Sequence, residues 1–289
     1  MKLRRVPGLL LALITPAAMA VDLNALWDFR KPEVSEQRFR TALETATGDD
    51  VLVLKTQIAR TYGLRKDFDR ARQVLAEIEP QVATAGAEAQ VRYQLELGRT
   101  YSSSAHSPES QTPEARDKAR AAYLRAINVA MPAGLEALAI DSYHMLAFVD
   151  TAPLDQIAWN NKGLALALAS SNPSARGWEA SLRNNTGYEL HRLGRDEEAL
   201  VEFRKALALR EQGTNAFMTR VAHWMIGMTL RSLNRVDEAL AIQLRLEREG
   251  DALNEPDEDV FEELEALYRA KGDEARAQHY ARRRQSVAK

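Results

Sequence analysis

The chain has 289 residues, 39 basic against 41 acidic, for a formal net charge of −2, which excludes the broad basic surface of a general nucleic-acid binder. It holds no cysteine, which excludes disulfides, thiol catalysis and cysteine-held zinc. Hydrophobic residues make up 45% and charged residues 28%, while Gly (14) and Pro (10) are few, a composition suited to a helix-rich body with a continuous core.

Residues 1–20 read as a cleavable signal peptide. Lys2, Arg4 and Arg5 give a basic start and Leu9 to Ile14 an apolar run. Ala18-Met19-Ala20 then supplies the small-x-small pattern that places the cut before Val21. The apolar run is far shorter than the ~20 residues that span a bilayer, so no stable membrane anchor is expected. Removing the three basic residues leaves 36 basic against 41 acidic, a net charge of −5, on a periplasmic or secreted chain. The alternative readings are a short buried helix, or a start codon placed too early in a cytosolic protein.

Within residues 21–50, FRKPEVSEQRFRTAL reads as a degenerate capping helix with Ser35, Phe39 and Ala42 at packing spacing. Residues 51–285 then repeat one pattern: a small residue near an aromatic or aliphatic one, followed on a second helix by an alanine and a bulky residue. Ala59 and Tyr62 lead to Ala71 and Leu75, and Gly98 and Tyr101 to Ala119, Tyr123 and Ala126. Tyr143, Leu146 and Ala147 lead to Ala158, in a weaker copy. Gly187 leads to Ala199, Phe203 and Ala206, and Gly227 to Ala239, Gln243 and Leu246. In the last copy Phe261, Leu264 and Tyr268 lead to Gly272, Ala277 and Ala281, with Glu265 in the small place.

The spacing checks the pattern. From small residue to alanine the step is 12 in four copies, 11 at 147→158 and 21 at 98→119. The long step implies a nine-residue insertion in that hairpin turn, and its text SSSAHSPESQTPEAR (102–116) reads as a mobile loop. Steps between copies are 39, 49, 40, 40 and 38, and removing the insertion from 49 returns 40. An acidic break, Asp251 to Asp259, precedes the last copy. The turns LGRDEEAL, LNRVDEAL and AKGDEARA place a Gly or Asn where a left-handed residue ends one helix, and an Asp where a cap begins the next.

The small-x2-Tyr and Ala-x3-Phe patterns resemble the tetratricopeptide repeat (TPR) family over roughly residues 24–285, as an exported bacterial member. The period exceeds the family's ~34 residues, and HEAT or armadillo repeats at ~40–47 are the alternative. The resemblance implies an all-α, right-handed superhelical solenoid of about six helical hairpins plus an N-terminal helix. In such a fold the first helix of each pair lines a concave groove.

Residues four apart on those first helices share the groove face. Those places hold Thr56 and Arg60, then Leu95 and Arg99, with Arg92 one turn earlier. In the second half they hold His144 and Phe148, Asn184 and Tyr188, and Trp224 and Met228, with His191 and Arg231 one turn further on. Candidate partner-binding residues are therefore Arg60, Arg92, Arg99, His144, Asn184, Tyr188, His191, Trp224, Met228 and Arg231. Arginine and aromatic groups carry most energy in peptide grooves. The resemblance implies that Asn184 pairs with an extended peptide backbone, a role Asn often fills in this family. The competing reading of Tyr188, Trp224 and Met228 is inter-repeat core, since aromatic and Met stripes at helical spacing usually pack. The Lys–Asn pairing of TPR domains that clamp acidic chaperone tails is absent.

Catalytic candidates are thin. Five histidines (His106, His144, His191, His223 and His279) are scattered one per segment, and no HExxH, GxSxG or GxxxxGK[ST] occurs. The expectation is a non-enzymatic scaffold for a protein or peptide partner, with no metal, cofactor, catalytic residue or nucleic-acid partner. The alternative is a small-ligand carrier or enzyme built on His144, His191, Asn184 and Tyr188, which requires those side chains to converge.

Overall fold

The computed structural model describes residues 21–287, and among these it contains helices and turns but no strand. The signal-peptide reading lies outside the described residues. Two N-terminal helices, α1 (Leu23–Leu26) and α2 (Pro32–Leu43), lead into six hairpins. These are α3 (Asp49–Leu64) with α4 (Phe68–Val82), α5 (Ala87–Tyr101) with α6 (Pro113–Ala130), and α7 (Glu136–Val149) with α8 (Pro153–Ala169). After a four-residue helix, α9 (Pro173–Arg176), come α10 (Glu179–Arg192) with α11 (Asp196–Arg210), α12 (Ala216–Ser232) with α13 (Val236–Leu253), and α14 (Glu258–Ala270) with α15 (Glu274–Val287). The second helix of each pair packs on the first helix of the next, so the core runs along the stack. The chain is an all-helical, TPR-like solenoid.

The small positions do what the spacing requires. A Cβ on Gly98 would stand 2.4 Å from the Tyr123 ring, and one on Gly187 would stand 2.8 Å from the Phe203 ring. Each glycine lets a flat side chain of the second helix lie directly on the first, and Tyr123 and Phe203 are fully buried. In the last hairpin Glu265 takes the small place, answered by Arg269 at 2.9 Å and Arg284 at 3.7 Å. At the N-terminus Ser35 and Phe39 are fully buried, as the capping reading requires. The Ser35 hydroxyl also accepts from Asp28 N at 2.7 Å and donates to Asp28 O at 3.0 Å, tying down the segment that carries Trp27 and Phe29.

Four hairpin turns close through a left-handed residue: Lys66 (φ 64°), Gly194 (71°), Asn234 (57°) and Gly272 (74°). Asp caps the following helix in two of them, with Asp67 accepting from Arg70 N at 3.2 Å and Asp273 from Arg276 N at 3.1 Å. The other two differ from the expectation. In LGRDEEAL and LNRVDEAL the caps are Arg195 and Arg235, and the Asp lies inside the first turn. Each arginine instead grips the Glu three residues on, Glu198 or Glu238, through paired bonds of 2.7 Å.

The third hairpin departs further. Ala158, placed at the packing position by sequence, is exposed. Gly163 lies inside instead, where an added Cβ would stand 3.3 Å from Leu182 and 3.6 Å from Ile140. Counting 16 from Ala147, as from Gly187 to Phe203, reaches Gly163, so the bulky and small places are exchanged in this copy. The insertion in the second hairpin ends at Thr112, because Pro113 opens α6. It lies against the stack: the His106 ring stacks on Phe68 at 3.8 Å, and Tyr123 donates from its hydroxyl to Ser102 O at 2.8 Å.

Candidate functional site

Three successive first helices, α3, α5 and α7, wall a cavity of about 220 Å³, lined also by Phe68, Trp178 and the inserted segment at Ser103 to Ala105. Arg60, Glu96, Arg99, Asp141 and His144 all face it. Arg99 donates to Glu96 Oε1 and to Asp141 Oδ1, both at 2.5 Å. Glu96 and Asp141 are only 3% and 7% exposed, so this is a buried ion network that joins two hairpins. Burial alone would raise the Asp141 carboxyl, but the charges of Arg99 and Arg60 outweigh it and hold the group below its ordinary range.

Arg60 is the less satisfied member. Its nearest carboxylate oxygen, on Glu96, is 3.8 Å away, and no hydrogen bond to it occurs among the described residues. Its guanidinium stands 5.6 and 5.4 Å from the rings of Trp27 and Phe29, which stack on each other at 4.5 Å. Burial first, and then the positive charge of Arg99, push Arg60 below the usual arginine value. His144 is lowered to about 4, mainly by burial, and is neutral near pH 7. The Asn185 amide donates to its Nδ1 at 3.1 Å, which leaves the proton on Nε2. Phe148 and Trp178 flank the imidazole at 4.9 and 5.2 Å.

Phe148 also belongs to a second concavity of about 370 Å³, lined by Asn184, Asn185, Tyr188, Gln156, Glu189 and Met225. Here the apolar surface is open, with Tyr188 42% and Phe148 37% exposed. The two hollows lie side by side, one charged and one aromatic with amides.

The remaining sequence-derived candidates have internal duties. Arg92 bonds Glu88 at 2.8 Å on its own helix, and Arg231 forks onto Glu263 at 2.7 and 2.8 Å. Arg99 is likewise occupied by Glu96 and Asp141, so it is a structural arginine rather than an open contact. His191 bonds Asp196 at 2.6 Å in the turn to α11. Met228 is 7% exposed, which corrects its place in the groove: it is core. Trp224 packs beside Leu246, Val260 and Phe261, and its Nε1 is buried without a partner. His144 and His191 do not converge. His144 meets α10 at Asn185, and His191 is six residues further along that helix, about 9 Å at 1.5 Å per residue.

Sequence reasoning missed Glu96, Asp141, Trp178 and the Trp27–Phe29 pair. Glu96 was accessible, since it precedes Arg99 by three residues on the same helix face. Asp141 was not, because its partner lies 42 residues away on a neighbouring hairpin.

These features define the class: a TPR-like helical repeat protein with a two-part hollow on its first helices. No family model matches the chain, and no curated protein matches it. The apo form of RapI superposes with a TM-score of 0.68 over 92% of this chain and 75% of its own, at 14% identity. A Pyrococcus horikoshii signal transduction ATPase with numerous domains and a tetratricopeptide repeat sensor gives 0.65 over 89% and 39%, at 13% identity. A Rap protein complexed with competence and sporulation factor gives 0.56 over 92% and 75%, at 15% identity. At such identities the likeness is one of fold.

Proposed function

We propose that this chain is a non-catalytic scaffold that binds an extended peptide or a partner helix along the inner face formed by α7, α10 and α12. The observation that carries this reading is the open aromatic-and-amide hollow. Tyr188 and Phe148 offer rigid apolar area there, beside the amides of Asn184, Asn185 and Gln156. Rigid aromatic anchors flanked by adaptable hydrogen-bonding groups are what peptide grooves use. The Rap protein seen with competence and sporulation factor is a precedent for a bound partner on a similar fold.

A selection of random peptides on the purified protein, repeated on Tyr188→Ala, tests the reading. Peptides enriched on the wild-type chain should bind the variant at least tenfold more weakly, while the melting temperature stays within about 2 °C, since the exposed ring carries little core burial. Binding unchanged in Tyr188→Ala and Asn184→Ala would overturn the assignment. Export through residues 1–20 belongs to the same proposal, and N-terminal sequencing of the protein from fractionated cells checks it. A mature chain beginning at Val21 is expected, and an intact Met1 in the cytosol would remove it.

A further inference from the structure

The charged hollow differs from the peptide-sized one in size and chemistry. At about 220 Å³ it is smaller than the ~300–1,000 Å³ of drug-sized pockets, and the inserted segment, Phe68 and Trp178 add to its lining. Two residues that line it carry donors without partners among the described residues. The Arg60 guanidinium makes no hydrogen bond among the described residues, and neither does His144 Nε2, which carries the ring proton because Nδ1 accepts from Asn185. Glu96 and Asp141 spend their hydrogen bonds on Arg99 at 2.5 Å and act on Arg60 only through space, Glu96 from 3.8 Å, so the Arg60 donors stay unpaired among the described residues.

We propose that this cavity binds a small organic carboxylate with an apolar body. The carboxylate forks onto Arg60, with His144 Nε2–H as the second donor, and the apolar part rests against Phe148, Trp178 and Leu64. A guanidinium and a carboxylate match as planar forks, and a charge-assisted pair shielded from water is worth more than one in solvent. Burial and the neighbouring Arg99 outweigh the support that Glu96 and Asp141 give the Arg60 charge, which points the same way. A dianion such as phosphate fits poorly, because Glu96 and Asp141 bring two negative charges into the same cavity. A neutral ligand would leave Arg60 unanswered. The site shares Phe148 with the peptide hollow, but its charged donors are its own, and the proposal does not rest on the peptide reading.

Isothermal titration of the full chain with phenylacetate and hexanoate, against phenylacetamide and hexanamide, tests the proposal. At least one acid should bind, with its amide weaker by tenfold or more. Arg60→Gln should abolish the acid's advantage, and Arg92→Gln, which alters a pair outside the cavity, should not. A third arm uses a short peptide ending in Phe, as free acid and as amide. Tighter binding of the peptide acid than of the small acids would overturn the small-ligand assignment in favour of a peptide C-terminus. Equal binding of acids and amides, or none of either at millimolar concentration, would overturn the carboxylate site; that comparison uses the unmutated protein and so does not depend on any variant folding.

Discussion

The hairpins built around Gly187 and Gly227 share their framework and differ at one buried contact. In the first, Cβ space above the glycine is filled by the Phe203 ring, and in the second by the Gln243 amide, whose Nε2 would stand 2.6 Å from a Cβ on Gly227. Both side chains are fully buried. What the glycine selects is therefore a flat group, and a planar amide satisfies the shape as well as a ring does. The chemistry does not follow the shape: both Gln243 polar atoms are buried without hydrogen-bond partners, a cost that Phe203 avoids.

Adding a methyl group is the largest way to break the comparison. Gly187→Ala drives a Cβ into a rigid ring and is expected to cost about 2 kcal/mol net of the helix-propensity gain, whereas Gly227→Ala meets the end of a flexible chain and costs under ~1 kcal/mol. Chemical denaturation of the two variants reads the difference directly, and equal losses would sink the rigid-against-flexible distinction. Next in size, Gln243→Leu should stabilise by about 1 kcal/mol, because it removes two unpaired polar atoms from the core. A loss of stability there would mean that the amide finds partners in solution. The turns supply the smallest contrast. Gly194→Ala, at φ 71°, should cost about 1 kcal/mol, while Asn234→Gly, at φ 57°, should gain a few tenths, both measurable as shifts in melting temperature.

A second contrast, between equivalent places on successive first helices, bears on how the site was read. Arginines at equivalent groove places looked alike in sequence, yet Arg99 is consumed by Glu96 and Asp141 while Arg60 retains free donors. The difference is set by Asp141, which stands on another hairpin, so no local spacing could reveal it. Met228 and Tyr188 occupy matching register positions as well, one 7% and the other 42% exposed. The short helix α9 and Trp178 come just before α10, which carries Tyr188, and they interrupt the otherwise direct passage from one hairpin to the next.

The repeat lattice, three of the four left-handed hairpin-turn residues (Gly194, Asn234 and Gly272, but not Lys66) and the tight contacts at Gly98, Gly187 and Gly227 were legible in the chain. They follow from local rules: helical period, small residues where helices touch, and Gly or Asn where φ must be positive. The cap residues of two turns and the exchanged packing places around Gly163 escaped because several local solutions satisfy the same spacing. Which arginine is spent, which aromatic is open and where a cavity closes were decided by tertiary structure alone. Those outcomes depend on side chains brought together from hairpins about 40 residues apart, and a repeat specifies that its copies stack without specifying what each copy offers to its neighbour.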